Sequence, residues 1–115
     1  MTHDIHAEMR NLSISAQKVR LVVDAVRGKD AVRAVEALTY MPQGAARPVL
    51  KLLNSAISNA EENFGVSRDD LYVAKIFADE APTRKWRRFG ARGRFKPLLR
   101  RSSHVTVILR ERETA

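Results

Sequence analysis

The 115-residue chain contains one stretch that no protein interior can hold. Between positions 84 and 101 nine side chains are basic and none is acidic: Arg84, Lys85, Arg87, Arg88, Arg92, Arg94, Lys96, Arg100 and Arg101. Burying unpaired charges in a low dielectric costs more than a small domain can offset, so this segment must project from the body. Outside it 12 bases face 13 acids, a net of −1, so all of the formal +8 is concentrated in these eighteen residues. A partner dense in negative charge is the first expectation.

The segment also predicts its own shape. Gly90 and Gly93 flank Ala91 and Arg92 at its centre, where a chain can reverse. Residues 71–78 before it and 105–109 after it are rich in strand formers. Together these features predict one long antiparallel hairpin. Alternation along a strand places Arg84 and Arg88 on one face, Lys85 and Arg87 on the other, so both faces are cationic. A disordered basic loop is the competing reading, and Trp86, Phe89 and Phe95 among the arginines argue against it. At about 3.4 Å per residue, an arm from Pro82 to the turn and back reaches on the order of 30 Å from the body.

The length and an apolar content of 44% fit one domain with a modest core. With no cysteine, disulfides, thiolate metal sites and cysteine nucleophiles are excluded. No apolar run approaches a membrane span, and residues 1–10 lack the apolar core of a signal peptide. Charge focused on a hairpin, not along an amphipathic helix, favours nucleic acid over an anionic membrane.

Taken in order, residues 5–13 read as a strand in which Ala7, Met9 and Asn11 alternate with Glu8, Arg10 and Leu12. Ser15 is placed as a helix N-cap whose hydroxyl accepts from nearby backbone N–H groups. Ala16, Val19, Val22 or Val23, and Val26 follow at helical spacing, and Gly28 stops the helix. Lys18 and Arg20 project from its first turns, and spacing alone makes them solvated helix residues. Asp30 caps a second helix with an Ala31, Ala34, Val35 and Leu38 stripe, which runs to about Tyr40. A third carries Val49, Leu50, Leu53, Ala56, Ile57, Ala60 and Phe64 on its apolar face and stops at Gly65. Pro48 sits either in that helix's first turn or at a kink. On the returning strand Val105, Val107 and Leu109 alternate with His104, Thr106, Ile108 and Arg110, the pattern of a sheet with one buried face. The fold class is therefore α+β: three helices on a small antiparallel sheet of about three strands, with a long basic β-hairpin extending from it. The single domain divides into a body, residues 1–81 and 103–115, and an arm, residues 82–102.

Catalytic and metal chemistry find no footing. Asp79 and Glu80 are adjacent and point apart in a strand, so they make no acid–base pair; neutralising arginines at the arm's root suits them better. Ser102-Ser103-His104 lacks the third group that would activate a nucleophile, and a structural or RNA-contacting His104 is the better reading. His3 and His6 have no third ligand beside them. No cofactor, small-molecule substrate or metal is expected. The arginines of the arm, by contrast, can fork onto phosphates and stack on bases, and the interleaved aromatics can stack as well.

Specific runs of the sequence then resemble a known family. Ser15-Ala16-Gln17-Lys18-Val19-Arg20, Val26-Arg27-Gly28 and Ser55-Ala56-Ile57-Ser58-Asn59-Ala60-Glu61 are similar to the helical part of bacterial large-subunit ribosomal protein twenty-two. Ala78-Asp79-Glu80-Ala81-Pro82, Gly93-Arg94 and Arg101-Ser102-Ser103-His104-Val105-Thr106-Val107 resemble that family's hairpin in order and spacing. The resemblance runs from about residue 8 to residue 109. It implies a structural, non-enzymatic constituent of the large ribosomal subunit, cytoplasmic and ribosome-bound. Such a protein binds large-subunit rRNA, supports subunit assembly, meets neighbouring ribosomal proteins and lines the nascent-peptide exit tunnel with its hairpin tip. It also implies RNA contacts for Lys18 and Arg20, which replaces their solvated reading, and for Lys85, Arg92, Arg94, Arg100, Arg101 and His104. The charge of the arm adds Arg84, Arg87, Arg88 and Lys96 to that set, and the tunnel-facing tip would comprise Arg88, Phe89, Gly90, Ala91 and Arg92. The tip departs from the common family pattern, being bulkier through Trp86 and Phe89, and Pro48 inside the third helix is a second departure. A free-standing RNA-binding regulator or RNA chaperone using the same arm is the alternative, and a nuclease built on His104 and an acid is a third reading.

Overall fold

A computed structural model describes residues 4–82, 84–89 and 95–112, the two arm strands 84–89 and 95–100 by their backbone alone. Valine at helical spacing decides the layering. Helix α1 (Ala16–Val26) buries Ala16, Val19, Val22, Val23 and Val26, so both of the alternative valines enter the core. Helix α2 (Ala31–Thr39) buries Ala31, Ala34 and Leu38, and helix α3 (Ala46–Phe64) buries seven residues along one stripe. Leu52 joins that stripe, whereas Phe64 at its end is 44% exposed. These helices cover one face of a three-stranded antiparallel sheet, in the order β1 (Ile5–Leu12), β5 (Ser103–Glu111), β2 (Leu71–Glu80). Val73, Ile76, Val105, Val107 and Leu109 meet the helices from the sheet side. Each such side chain, fully buried, stabilises by roughly 1.5–3 kcal/mol. A single turn of 3-10 helix, Arg68–Asp70, leads into β2.

Helix ends follow the expected residues with two changes of mechanism. Ser15 stands at the N-cap in extended conformation, but its hydroxyl makes no capping bond. Its carbonyl starts the helix instead, accepting from the Lys18 and Val19 N–H groups at 3.1 Å. Asp30 also makes no capping bond, because its carboxylate accepts from Arg112 Nε at 2.6 Å, a charge-assisted partner stronger than a backbone N–H. Pro48 is the third residue of α3, where its missing N–H would have been unpaired anyway. At the other end Gly65 takes a left-handed φ of 64°, letting the Val66 N–H reach the Ala60 carbonyl at 3.2 Å.

The strand β1 differs from simple alternation near its end. The pairing with β5 runs Met9↔Val105 and then Leu12↔Ser103, so one extra residue is accommodated and Asn11 adopts φ 57°. The bulge reverses the faces: Leu12 packs against the core and Asn11 is exposed, the opposite of the period-two reading. Ile108 likewise is 8% exposed although it lies on the outer face, between its cross-strand partners His6 and Lys75.

The outer edge of β2 is covered by groups from α1 and the turn after it. Gly28, at φ 80°, lets the chain run beside β2, with Gly28 N–H to Val73 O at 3.0 Å and Val73 N–H to Lys29 O at 2.9 Å. Further along, the Arg27 guanidinium donates to Ile76 O (2.8 and 3.3 Å) and Arg20 Nε donates to Ala78 O (3.1 Å). A bare edge invites pairing with other chains, and here two arginines one face of the helix apart occupy its carbonyls.

Beyond Glu80 the sheet hands over to the arm. The Ala81 N–H still donates to Ser102 O (3.0 Å), and then a separate two-stranded ladder joins β3 (Arg84–Phe89) to β4 (Phe95–Arg100), from Arg84↔Arg100 to Phe89↔Phe95. Between the pairs Glu80↔Ser103 and Arg84↔Arg100 the outgoing chain has one residue more than the returning one, so the hairpin carries a register step at its root. Pro82, which has no N–H to give a ladder, stands there. The molecule is 69 × 25 × 19 Å with a radius of gyration of 17.4 Å. A rounded domain of this length has about 13 Å, so the arm projects instead of folding back.

Candidate RNA interface

The body neutralises its own charge. Arg10 pairs with Glu8 (3.0 Å), Arg27 with Asp24 (2.6 Å), Arg68 with Glu61 (2.7 Å), Arg110 with Asp4 (2.6 Å) and Arg112 with Asp30 (2.6 Å). The hydrogen bond from Arg110, together with its charge, holds the Asp4 carboxyl below its ordinary range and raises the Arg110 guanidinium. Arg112 also lies over the Tyr72 ring at 4.7 Å, tying the end of β5 to β2. Fixed in this way, these guanidiniums leave the cations of the arm as the concentrated positive field.

In the arm the ladder sets residues opposite one another: Arg84 with Arg100, Arg87 with Pro97, Arg88 with Lys96. Cationic residues thus face each other across the strands at two of the six registered pairs. Like charges directly opposite destabilise an isolated ladder, and polyanionic surroundings reverse that sign. Reversal falls between Phe89 and Phe95, so the expected turn residues Gly90, Ala91 and Arg92, together with Arg94, lie outside the described residues. Asp79 and Glu80 are exposed, registered against His104 and Ser103, and make no ion pair with Arg101; the side chains of the arm's other arginines lie outside the described residues.

At the arm's root the structure joins residues that are far apart in the sequence. Lys18 from the first turn of α1 and Arg101 from the connection between β4 and β5 line one recess, with Ser13, Ile14, Ser15, Leu21, Gln43, Gly44 and Ala45. Lys18 and Arg101 are exposed, and neither side chain makes a hydrogen bond or ion pair among the described residues. Arg20, only two residues from Lys18, is differently placed, since its Nε is committed to the β2 edge. His104 is half-buried, and its Nδ1 accepts from the Asn11 N–H at 3.0 Å, which fixes the ring and leaves its other nitrogen for a partner. Ser103 points into the core with no accessible surface, its hydroxyl unpartnered among the described residues, so the Ser102-Ser103-His104 run presents no nucleophile beside the imidazole.

The family model for ribosomal protein L22p/L17e matches residues 7–110. The chain belongs to this family. It is accordingly a ribosomal protein of the large subunit, an rRNA-binding component of a ribonucleoprotein acting in translation, ribosome-bound in the cytoplasm. The L22p/L17e family is structural rather than catalytic. Its match covers the three helices, the β3–β4 ladder and all but the ends of the three-stranded sheet. Of the expected contacts, Lys18 and Arg101 are brought together and His104 lies on the neighbouring sheet. The backbone of Arg84, Lys85, Arg87, Arg88, Lys96 and Arg100 forms the shaft. Sequence reasoning missed the walls of the recess, Ile14, Leu21 and Gln43. One signal was present: Leu21 is a large apolar residue off the buried stripe of α1.

Proposed function

We propose that this protein binds large-subunit rRNA mainly through its arm, supports assembly of the subunit, and lines the nascent-peptide exit tunnel with residues 88–92. The body would be residues 1–81 with 103–115, and the arm residues 82–102. One observation carries the reading: the body pairs five of its arginines with its own acids, while the eighteen residues 84–101 hold nine cations and no acid, six of them on a separate two-stranded ladder. Such an arm is repelled by itself in water and attracted from both faces inside a phosphate lattice. Lys18, beside Arg101 of the arm's root, and His104 extend the contact onto the body, and Arg20, exposed but with its Nε bonded to Ala78 O, contributes as a support of the sheet edge.

Sedimentation of cell extracts on sucrose gradients tests the assignment. The protein remains with the large subunit after a moderate salt wash; release into the free fraction with intact RNA-binding would favour the regulator or chaperone reading. Photocrosslinking inside intact ribosomes tests the tip. A probe at Arg92 reaches nascent chains and one at Arg100 reaches only RNA; the reverse pattern abandons the tip assignment.

A further inference from the structure

The recess between α1 and the root of the arm has a composition of its own. Its volume is about 710 Å³, within the range of roughly 300–1,000 Å³ typical of sites for small molecules. Two cations, Lys18 and Arg101, line it without a hydrogen bond or ion pair among the described residues, whereas Lys29, Arg33, Arg47, Lys51 and Lys75, equally without such partners among the described residues, line no part of it. The Ser13 and Ser15 hydroxyls and the Gln43 amide make no hydrogen bond among the described residues either. Ile14 and Leu21 supply the apolar wall, and Leu21 is 67% exposed, an unusual position for a leucine on a helix whose valines fill the core.

Phosphate contact alone needs only cations on a convex surface. A concave site that also has an apolar wall, hydroxyls and an amide fits the remaining parts of a nucleotide. We propose that the recess takes one unpaired nucleotide of the bound RNA, with its phosphate between Lys18 and Arg101 and its base against Leu21 and Ile14. This deepens the RNA-binding reading and rests on it. A base paired inside an RNA helix cannot enter such a site, because its faces are stacked and its edges paired; a bulged or loop nucleotide can. Arg101 lies in the two-residue connection between β4 and β5, so the captured nucleotide would also fix the arm's root relative to α1.

The test uses the full chain and a large-subunit RNA fragment, with affinity measured over a salt series. Leu21→Ser weakens binding about fivefold with an unchanged salt slope, since apolar contact and no charge is lost. Lys18→Ala and Arg101→Ala each weaken it several-fold and make the slope shallower by about one. A photoreactive amino acid at position 21 crosslinks to a single nucleotide that chemical probing of the free RNA shows to be unpaired. Leu21→Ser binding like the wild type, or crosslinks confined to paired nucleotides, overturns the nucleotide site while leaving the arm's role standing. Absence of salt-dependent binding by the wild type overturns the RNA reading, and the recess assignment with it. All three positions are exposed, so circular dichroism of each variant matches the wild type and separates binding from folding.

Discussion

Removing the two arginines that cover the β2 edge should destabilise the body by an amount that follows from their bonds. Arg27 donates twice to Ile76 O, at 2.8 and 3.3 Å, and holds Asp24 at 2.6 Å. Both groups of that ion pair are about half exposed, so the pair itself contributes little and the carbonyl contacts dominate. A hydrogen bond from a charged donor contributes ~1.5–3 kcal/mol when enclosed and less at a wet edge, which puts Arg27→Ala at about 1–2 kcal/mol. Arg20 makes one bond of 3.1 Å to Ala78 O, which puts Arg20→Ala near 1 kcal/mol. The two sit about 10 Å apart along the helix, far enough for near-additivity, so the double variant loses ~2–3 kcal/mol. Against a total of ~5–15 kcal/mol this is large, and a domain of this size should melt ~8–12 °C lower. Equilibrium urea unfolding measures it, with Lys18→Ala, an exposed side chain with no hydrogen bond or ion pair among the described residues, expected within ~0.5 kcal/mol of wild type. A double variant as stable as Lys18→Ala would refute the idea that these guanidiniums hold the edge.

Other consequences are equally open to measurement. Deleting residues 84–99 and closing the gap with a short turn should leave one cooperative thermal transition, since the helices and the three-stranded sheet form a buried cluster of their own; loss of cooperativity would place the arm in the core. Ser103→Ala should leave stability equal or raised by up to ~1 kcal/mol, because the buried hydroxyl it removes has no partner among the described residues, and a clear loss in calorimetry would show a partner in solution. The Asp4 carboxyl, lowered by its hydrogen bond to Arg110, contributes stability that is present above its ordinary value of 3.8 and is lost as pH falls through the lower folded value. NMR titration should therefore show Asp4 below the usual midpoint in the wild type and at it in Arg110→Ala; equal midpoints would contradict the pairing.

Much of this architecture was legible because it is written in local periodicity. Valines at helical spacing fixed the inner face of α1, Gly28 and Gly65 marked helix ends by their need for positive φ, and alternation from Val105 to Leu109 placed β5. What escaped depends on residues distant in sequence. Asp30 resembles an N-cap, yet Arg112 captures its carboxylate from the far end of the chain. A one-residue bulge near Asn11, stabilised by His104, reverses which side chains of β1 face inward, and no window of local sequence contains both partners. Arg20 and Lys18 look alike as neighbouring cations on one helix. Only the position of the β2 edge separates a structural donor from a free one. The recess is similarly invisible until the returning strand brings Arg101 beside α1, although the misplaced Leu21 hinted at it.

The central claim is that the arm's concentrated positive charge makes the bond to large-subunit RNA. It is tested most directly by measuring affinity against salt for the full chain and for the chain lacking residues 84–99. The account predicts a slope of log K on log salt steeper than about −4 for the full chain, and a collapse of both affinity and slope without the arm. A slope near zero for the full chain, or the same steep slope after the deletion, would contradict it.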